Sequence, residues 1–237
     1  MKKVILVLIS AVFITAGLVR ISKIESFQFF GELVTSIETS EKVVALTFDD
    51  GPSKGKTEEV LKILRENDIK ATFYLVGKDI AKNPGQARLI VTEGHEVGNH
   101  SYTHERMIFK SPSFVKEEIE RTSHEIRNIG YSKEISFRPP YGRKLFTLPY
   151  YLSKNNILTV TWDVEPDSAL DIEASSDELV NYALEHTKPG SIILMHVMFD
   201  SRKRSMESIP GIIQGLKSRG YRFVTVSQLL DINEVVE

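Results

Sequence analysis

The chain has 237 residues, of which 41% are hydrophobic and 26% are charged, and its formal net charge is -2. This composition is typical of one globular domain with a large core, and it lacks the basic excess that would indicate a nucleic-acid partner. The sequence contains no cysteine, which excludes disulfides, thiolate zinc sites and cysteine nucleophiles, so any metal must be held by His, Asp or Glu.

The first predicted element is an export segment at the N-terminus. Lys2 and Lys3 precede a mostly apolar, uncharged run, Val4–Val19, which Arg20 closes. This layout is typical of a secretory signal or of an uncleaved signal anchor. The run is shorter than the roughly 20 residues that span a bilayer comfortably, but it offers no clear cleavage motif, so we favour the anchor and keep the cleaved peptide as the alternative.

The remaining chain divides into a spacer, a domain and a tail. We expect residues 1–23 to be the signal anchor or signal peptide, residues 24–41 a spacer without regular structure, and residues 232–237 a C-terminal tail. The domain at 42–231 would then be exported and face the extracytoplasmic side of the membrane. Nothing in the sequence indicates an oligomer, and we expect a monomer.

Apolar runs of strand length alternate with helical periods from Lys42 onward. This alternation predicts an α/β fold with a parallel sheet, most simply a barrel. The predicted strands are 43–48, 71–76, 96–97, 135–137, 158–162, 191–195 and 222–226. Helices are predicted to begin at Thr57, at Asn83-Pro84, at Ser113 and at Ser176.

Polar residues follow four of these predicted strands at the point where each strand ends. They are Asp49 and Asp50, Arg138, Asp163 and Glu165, and His196. Because the carboxyl ends of parallel strands gather the ligands and catalytic groups of α/β barrels, we expect these side chains to meet at one face.

Asp49 and Asp50 are adjacent carboxylates before a Gly51-Pro52 turn. Neighbouring carboxylates repel each other, and a metal on one with Arg138 beside the other would relieve the repulsion. The alternative is a solvated turn. His100 and His104 are four residues apart, so they can share one face of a helical turn and bind one ion together with an aspartate.

His196 ends an apolar run, where a neutral core histidine is the ordinary alternative. At a strand end near a carboxylate, it would instead be suited to give a proton to a leaving group. Tyr141 and Trp162 flank the same strand ends and either line a sugar-binding groove or belong to the core.

Taken together, these motifs resemble the polysaccharide deacetylase family, carbohydrate esterase family 4, whose shared unit is the NodB homology domain. The matching segments are Thr47-Phe-Asp-Asp-Gly-Pro52, His100-Ser-Tyr-Thr-His104, Arg138-Pro-Pro-Tyr-Gly142 and Leu194-Met-His196, in the family's order. The resemblance covers roughly residues 42–231.

The resemblance implies a distorted (β/α)7 barrel and a divalent metal, most simply zinc, with cobalt or nickel as alternatives. It implies that Asp50, His100 and His104 are the metal ligands, Asp49 the general base and His196 the general acid. It further implies that Arg138 orients Asp49 and that the Tyr141 backbone N–H holds the oxyanion. The substrate site would include Tyr141, Pro139, Trp162 and Leu194, with Leu194 beside the acetyl methyl group.

The fourth family motif departs from its usual form, an aspartate followed shortly by Asp-Trp. The chain reads Trp162-Asp-Val-Glu165-Pro-Asp167. Glu165 aligns best with the aspartate that supports the acid histidine, while Asp163 and Asp167 remain alternatives, and the trailing tryptophan is missing.

The implied activity is hydrolysis of the N-acetyl group of N-acetylglucosamine-type residues. Export and the short spacer favour peptidoglycan or another surface glycan, and a chitooligosaccharide is possible. Alternatives are an amidase of the same fold acting on a small molecule and a non-catalytic sugar-binding homologue. An aspartyl-phosphate phosphohydrolase is disfavoured because Asp49 and Asp50 are adjacent, whereas that class spaces its carboxylates by one residue.

Overall fold

Parallel strands alternate with helices along the chain in a computed structural model that describes residues 2–171 and 173–234. The strands are β1 (Leu33–Val34), β2 (Val43–Asp49), β3 (Thr72–Leu75), β4 (Glu96–Asn99), β5 (Thr159–Val160), β6 (Ile192–His196) and β7 (Arg222–Val224). The helices are α1 (Lys2–Ile21), α2 (Lys56–Glu66), α3 (Gly77–Lys82), α4 (Pro84–Thr92), α5 (Pro112–Asn128), α6 (Thr147–Lys154), α7 (Pro166–Ala169), α8 (Ser176–His186), α9 (Lys203–Ser218) and α10 (Val226–Glu234).

A proline and two side-chain caps explain where three helices begin. α4 begins with Pro84 directly after Asn83, as predicted, although the Asn83 side chain makes no cap hydrogen bond. α5 begins one residue earlier than predicted because Ser111, not Ser113, accepts the hydrogen bond from the Phe114 backbone N–H. At α8 the cap is Ser175, which forms a reciprocal capping box with Glu178.

Strand β2 lies at the centre of the sheet. It pairs in parallel with β3, β6 and β7, and β3 pairs with β4. Between β4 and β6, isolated β-bridges close the ring of strands. These bridges are Asn99–Phe137, Phe137–Thr159 and Val164–Ile193. The result is a closed but distorted barrel, and the predicted α/β architecture with a parallel sheet is confirmed.

The two faces of β2 enter different parts of the core. Val44, Leu46 and Phe48 pack in the cluster that separates the barrel from its helices, whereas Val43 and Ala45 point into the barrel. Because side chains alternate along a strand, Thr47 and Asp49 share the inward face with Val43 and Ala45. The same alternation on β6 puts His196 on the face of Ile192 and Leu194, which aims both polar strand ends at the barrel interior.

The predicted strand at 135–137 is wrong as a regular strand. Only Phe137 makes bridges, because Pro139 and Pro140 follow and cannot donate backbone hydrogen bonds. The predicted strand at 158–162 shortens to Thr159–Val160, because only these two residues pair with the two-residue strand β1.

The segment 24–41, predicted as an unstructured spacer, belongs in part to the barrel. Within it, β1 pairs in parallel with β5. Ile37 is buried in the barrel core, and its backbone N–H donates to the Gly190 carbonyl. The segment therefore fills the gap between β5 and the start of β6, which its lack of periodicity gave no reason to expect.

Helix α1 occupies the predicted export segment and ends against the barrel. Within residues 2–171 and 173–234, we find no helix whose length and apolarity suffice for crossing a membrane. The predicted C-terminal tail falls partly in α10, and residues 235–237 lie outside the described part of the chain.

Candidate active site

A cavity of about 520 Å³ opens at the carboxyl ends of the strands. The register of the sheet places Asp49 of β2 level with His196 of β6, so these two side chains meet across neighbouring strands. Other polar lining residues come from the ends of other segments. Among them are Asp50, His100, His104, Glu165 and Arg202. Arg138 lies behind the cavity wall, fully buried.

Asp50, His100 and His104 form a compact set of donor atoms. One ligand atom from each lies within 4.8 Å of the others, and the Asp50 carboxylate is 3.2 Å from His104 Nε2. The two histidines do not share a helical turn, as the spacing suggested. They converge through a tight turn in which Ser101 (φ 64°) and His104 (φ 62°) adopt left-handed backbone conformations, a strained geometry found at functional sites.

A buried carboxylate, Glu118 on α5, holds this turn in place. It accepts hydrogen bonds from the backbone N–H groups of Tyr102 (2.9 Å) and Thr103 (2.8 Å) and from the Thr103 hydroxyl. The Ser101 backbone N–H donates a further hydrogen bond to the side-chain oxygen of Asn99. Sequence reasoning missed Glu118 because it reads as one of many polar positions on an amphipathic helix.

The chemistry of the three donors fits a divalent metal. His100 Nδ1 lies 2.8 Å from the Arg138 carbonyl oxygen, which only accepts, so Nδ1 carries a proton and Nε2 is the ring nitrogen that remains to bind a metal. Burial, reinforced by His100, lowers the pKa of His104 to about 3, so the His104 ring is neutral. Burial also raises the pKa of Asp50, a penalty that a bound cation would remove. Two imidazoles and one carboxylate suit zinc and leave coordination positions open.

Arg138 fixes one oxygen of Asp49. Its guanidinium donates to Asp49 Oδ1 (2.8 Å), to Thr47 Oγ1 (2.7 Å) and to the Thr161 carbonyl (2.9 Å). Burial by itself would raise the pKa of Asp49, but the Arg138 cation and the neighbouring histidines outweigh it and lower that pKa. Asp49 Oδ2 is left facing His100 Nε2 at 3.5 Å, so a charged carboxylate oxygen borders the metal donors.

Asp167, not Glu165, is the principal partner of His196. Asp167 Oδ1 lies 3.2 Å from His196 Nδ1, and Oδ2 accepts from the His196 backbone N–H at 2.7 Å. Glu165 reaches only 4.0 Å from the same nitrogen. The assignment of Glu165 from the family alignment is therefore corrected: Pro166 starts the short helix α7, which turns the buried Asp167 back toward the ring.

The protonation of His196 follows from this contact. Burial by itself lowers the pKa of His196, but the hydrogen bond and charge of Asp167, with smaller contributions from Asp49 and Asp50, raise it to about 9. The ring is therefore an imidazolium at neutral pH, with Nδ1 turned to Asp167 and Nε2 available to the cavity.

The predicted substrate residues divide into two groups. Tyr141 and Trp162 line the cavity. Tyr141 is 55% exposed, and its ring centre lies 4.7 Å from that of His104 with the two ring planes inclined by 52°, whereas Trp162 is almost completely buried. Pro139 and Leu194 are buried and do not belong to the cavity lining, and the contact of Leu194 with an acetyl group stays a prediction.

The N-terminal stem, residues 22–30, forms an unexpected wall. Glu25 lines the cavity, and its carbonyl oxygen accepts from Lys144 Nζ (3.2 Å) and from Thr161 Oγ1 (3.1 Å). Lys144 also donates to the Ile24 carbonyl at 2.8 Å. Burial lowers the pKa of Lys144 to about 8, and the charge of Glu25 partly offsets this. No motif marks these residues, because the contact joins positions about 120 apart in the chain.

Comparison with known proteins places this geometry among deacetylases. A family model described as polysaccharide deacetylase matches residues 36–160. A peptidoglycan-N-acetylglucosamine deacetylase of Bacillus cereus is 30% identical over 84% of the chain and 93% of its own length. A bifunctional xylanase/deacetylase of Pseudobutyrivibrio xylanivorans is 36% identical over 83% of the chain, but the match spans only 32% of that longer protein.

Solved structures give the same result for the fold. The crystal structure of a peptidoglycan N-acetylglucosamine deacetylase in complex with 4-naphthalen-1-yl-N-oxidanyl-benzamide superposes with a TM-score of 0.77 at 31% identity. The superposition covers 83% of this chain and 92% of that one. The resemblance noted from the sequence motifs is thereby confirmed.

Proposed function

Since the chain belongs to the polysaccharide deacetylase family, we propose that it hydrolyses the N-acetyl group of N-acetylglucosamine-type residues in a surface glycan, with peptidoglycan as the favoured substrate. The observation that carries this proposal is the meeting of three groups in one cavity. These are the metal donor set, the Asp49 carboxylate and the His196 imidazolium.

Asp50, His100 and His104 would hold the metal, for which zinc suits the donors best and cobalt or nickel is possible. A divalent ion held there supplies Lewis-acid chemistry, polarising the acetamide carbonyl and making water more acidic.

Asp49 acts as the general base. Because Arg138 occupies Oδ1 and keeps the carboxylate charged, the free Oδ2 accepts the proton of the water that attacks the carbonyl carbon. The backbone N–H of Tyr141, at the cavity rim, stabilises the oxyanion of the tetrahedral intermediate.

His196 acts as the general acid. Its Nε2 proton passes to the amide nitrogen as the carbon–nitrogen bond breaks, so that a neutral amine leaves together with acetate. Asp167 keeps the ring charged and oriented for this transfer. Without the proton from His196, the leaving group would be an amide anion, which is far too basic to depart.

A second cavity favours a glycan chain over a small amide as the substrate. It measures about 400 Å³ and shares Glu25, Trp162, Glu165 and Ser168 with the active-site cavity. Two adjoining cavities of this size offer room for neighbouring sugar units, whereas a small-molecule site would be a single enclosed pocket. Peptidoglycan is favoured because the Bacillus cereus relative is named for it.

We also infer that the chain works outside the cytoplasmic membrane, because Lys2 and Lys3 precede the apolar run 4–19. An alkaline phosphatase fusion after the domain should be active in cells if the domain is exported. An inactive fusion, with a cytoplasmic reporter active at the same position, would contradict the export.

The activity is tested by acetate release from purified peptidoglycan and from N-acetylglucosamine oligomers, with added zinc and with chelator. We expect zinc-dependent release that Asp49→Asn reduces by about 10²–10⁴-fold while bound zinc, measured by elemental analysis, stays unchanged. Zinc-loaded protein that binds glycan but releases no acetate would identify a non-catalytic homologue instead.

A further inference from the structure

An exposed aromatic surface lies beside the end of α1. We call it the aromatic patch and define it by Phe27, Phe29, Phe30, Phe146 and Tyr150. Each of these side chains is between 39% and 52% exposed. Such a concentration of large exposed rings is uncommon on a soluble surface and indicates a contact with something apolar.

The rings form two contacting groups, and each group joins the N-terminal stem to the region of α6. Phe29 contacts Phe27 at 5.0 Å and Phe146 at 4.5 Å, and Phe30 contacts Tyr150 at 5.6 Å. The first three residues belong to the N-terminal stem and the last two border or lie in α6. The patch is therefore a surface of the folded domain and not a property of the N-terminal segment alone.

The stem is held firmly enough to present this surface. Lys144 donates hydrogen bonds to the carbonyls of Ile24 and Glu25, which lie in the stem just before the first ring of the patch. Gly31, at the other end, has φ 74° and approaches α6 so closely that an added Cβ would lie 2.9 Å from Ser153 Cβ. The rings are thus fixed between two anchor points.

The position of the patch indicates what covers it. α1 leads directly into the stem, and its Ile9, Val12, Phe13 and Ile14 are also exposed, by 48–74%. The last turn of α1 is tied to the domain through Arg143, whose guanidinium lies 3.4 Å from the Val19 carbonyl oxygen. The apolar surface of α1 therefore continues onto the domain at the patch.

Cations lie close to the patch in space or along the chain. Lys154 Nζ lies 5.8 Å from the centre of the Tyr150 ring, and the exposed Arg20, in the last turn of α1, and Lys23, in the stem, precede Phe27. Aromatic rings flanked by lysine and arginine are typical of surfaces that lie at the headgroup level of a membrane with anionic lipids.

We propose that the aromatic patch docks the folded domain onto an anionic lipid bilayer, in continuity with α1, and so fixes the orientation of the active-site cavity relative to the membrane. Glu25 lines that cavity only two residues before Phe27. Docking would therefore place the Glu25 wall of the cavity next to the lipid surface.

The absence of cysteine makes a direct test possible, because one introduced cysteine is the only labelling site. The full chain carrying Tyr150→Cys, labelled with an environment-sensitive fluorophore, is reconstituted into vesicles of brominated phosphatidylcholine and phosphatidylglycerol. Leu89→Cys is the matched control, since Leu89 on α4 is similarly apolar and 39% exposed but lies outside the patch. We expect several-fold stronger bromine quenching at position 150 than at position 89.

A second variant separates docking from simple tethering by α1. Phe27→Ser, Phe29→Ser and Phe146→Ser together, in the Tyr150→Cys background, should reduce the quenching to the control level while acetate release from a soluble oligosaccharide persists. Equal quenching at positions 150 and 89 would overturn the proposal, even if the triple variant fails to fold. Undiminished quenching in a folded triple variant would overturn it too. So would self-association in the absence of lipid that the same substitutions abolish, because a second copy of the chain would then cover the patch.

Discussion

Replacing Asp167 with asparagine should separate the acid function of His196 from the metal site. The side chains have the same size, so the amide oxygen can take the place of Oδ2 as acceptor for the His196 backbone N–H, while the negative charge is lost. Asp167 is buried and lies 3.2 Å from His196 Nδ1, so solvent cannot replace its charge.

The magnitude follows from the pKa of His196. A pKa of about 9, against an ordinary 6.5, corresponds to about 3 kcal/mol in favour of the charged ring. With the Asp167 charge removed, burial opposes the charged ring and only Asp49 and Asp50 still favour it, so the pKa of His196 should fall. The ring is then neutral at pH 7 and cannot protonate the leaving amine, and kcat should fall by about 10²–10⁴-fold.

The assay is acetate release by the zinc-loaded enzyme between pH 5 and 10. Because a general acid works below its pKa, the alkaline limit of activity should move to lower pH in Asp167→Asn, with zinc content unchanged. Glu165→Gln is the matched control, since the Glu165 carboxylate lies 4.0 Å from the same nitrogen. The reasoning is refuted if Asp167→Asn keeps the wild-type alkaline limit, or if Glu165→Gln shifts it equally.

Three further outcomes follow from the same contacts. His104→Ala should abolish zinc binding in a calorimetric titration, whereas His124→Ala, an exposed position on α5, should bind zinc normally; equal affinities would contradict the donor set. Arg138→Met leaves Asp49 buried without its cation and should lower the free energy of unfolding by about 3–5 kcal/mol. In urea titrations, adding Asp49→Asn to this variant should recover part of the loss. Strictly additive effects of the two substitutions on the free energy of unfolding would argue against the pairing. In chelator-treated protein, His196 has a folded pKa above its unfolded value, so its stabilising effect is complete below pH 6.5 and disappears through pH 9. The free energy of unfolding should therefore decline by about 3 kcal/mol over this interval relative to Asp167→Asn, and parallel pH profiles for the two proteins would contradict this origin of the pKa.

Local patterns predicted the parts of the site that lie on or next to regular strands. β2 and β6 are continuous apolar runs that end in Asp49 and His196, and alternation alone is enough to aim both at the barrel interior. The capped helices α4 and α8 were also visible, because their signals lie within four residues of the helix start.

Contacts between residues distant in sequence could not be predicted from these local patterns. Asp167 and Glu165 are two residues apart, and only the turn of α7 decides which one faces His196. The histidine turn depends on Glu118, which is distant in sequence. The proline pair after Phe137 reduced a predicted strand to single bridges, since strand formation depends on a partner that offers matching donors.

The contact of Lys144 with the stem also limits proteolytic maturation. Lys144 is 2% exposed, and two of its acceptors are the carbonyls of Ile24 and Glu25. A signal peptidase that cut after these residues would take two of its acceptors from the buried Lys144 amine and remove one side of the active-site cavity. Cleavage upstream of Ser22 would preserve both. The barrel itself therefore determines how far an exported chain can be trimmed at its N-terminus and remain an enzyme.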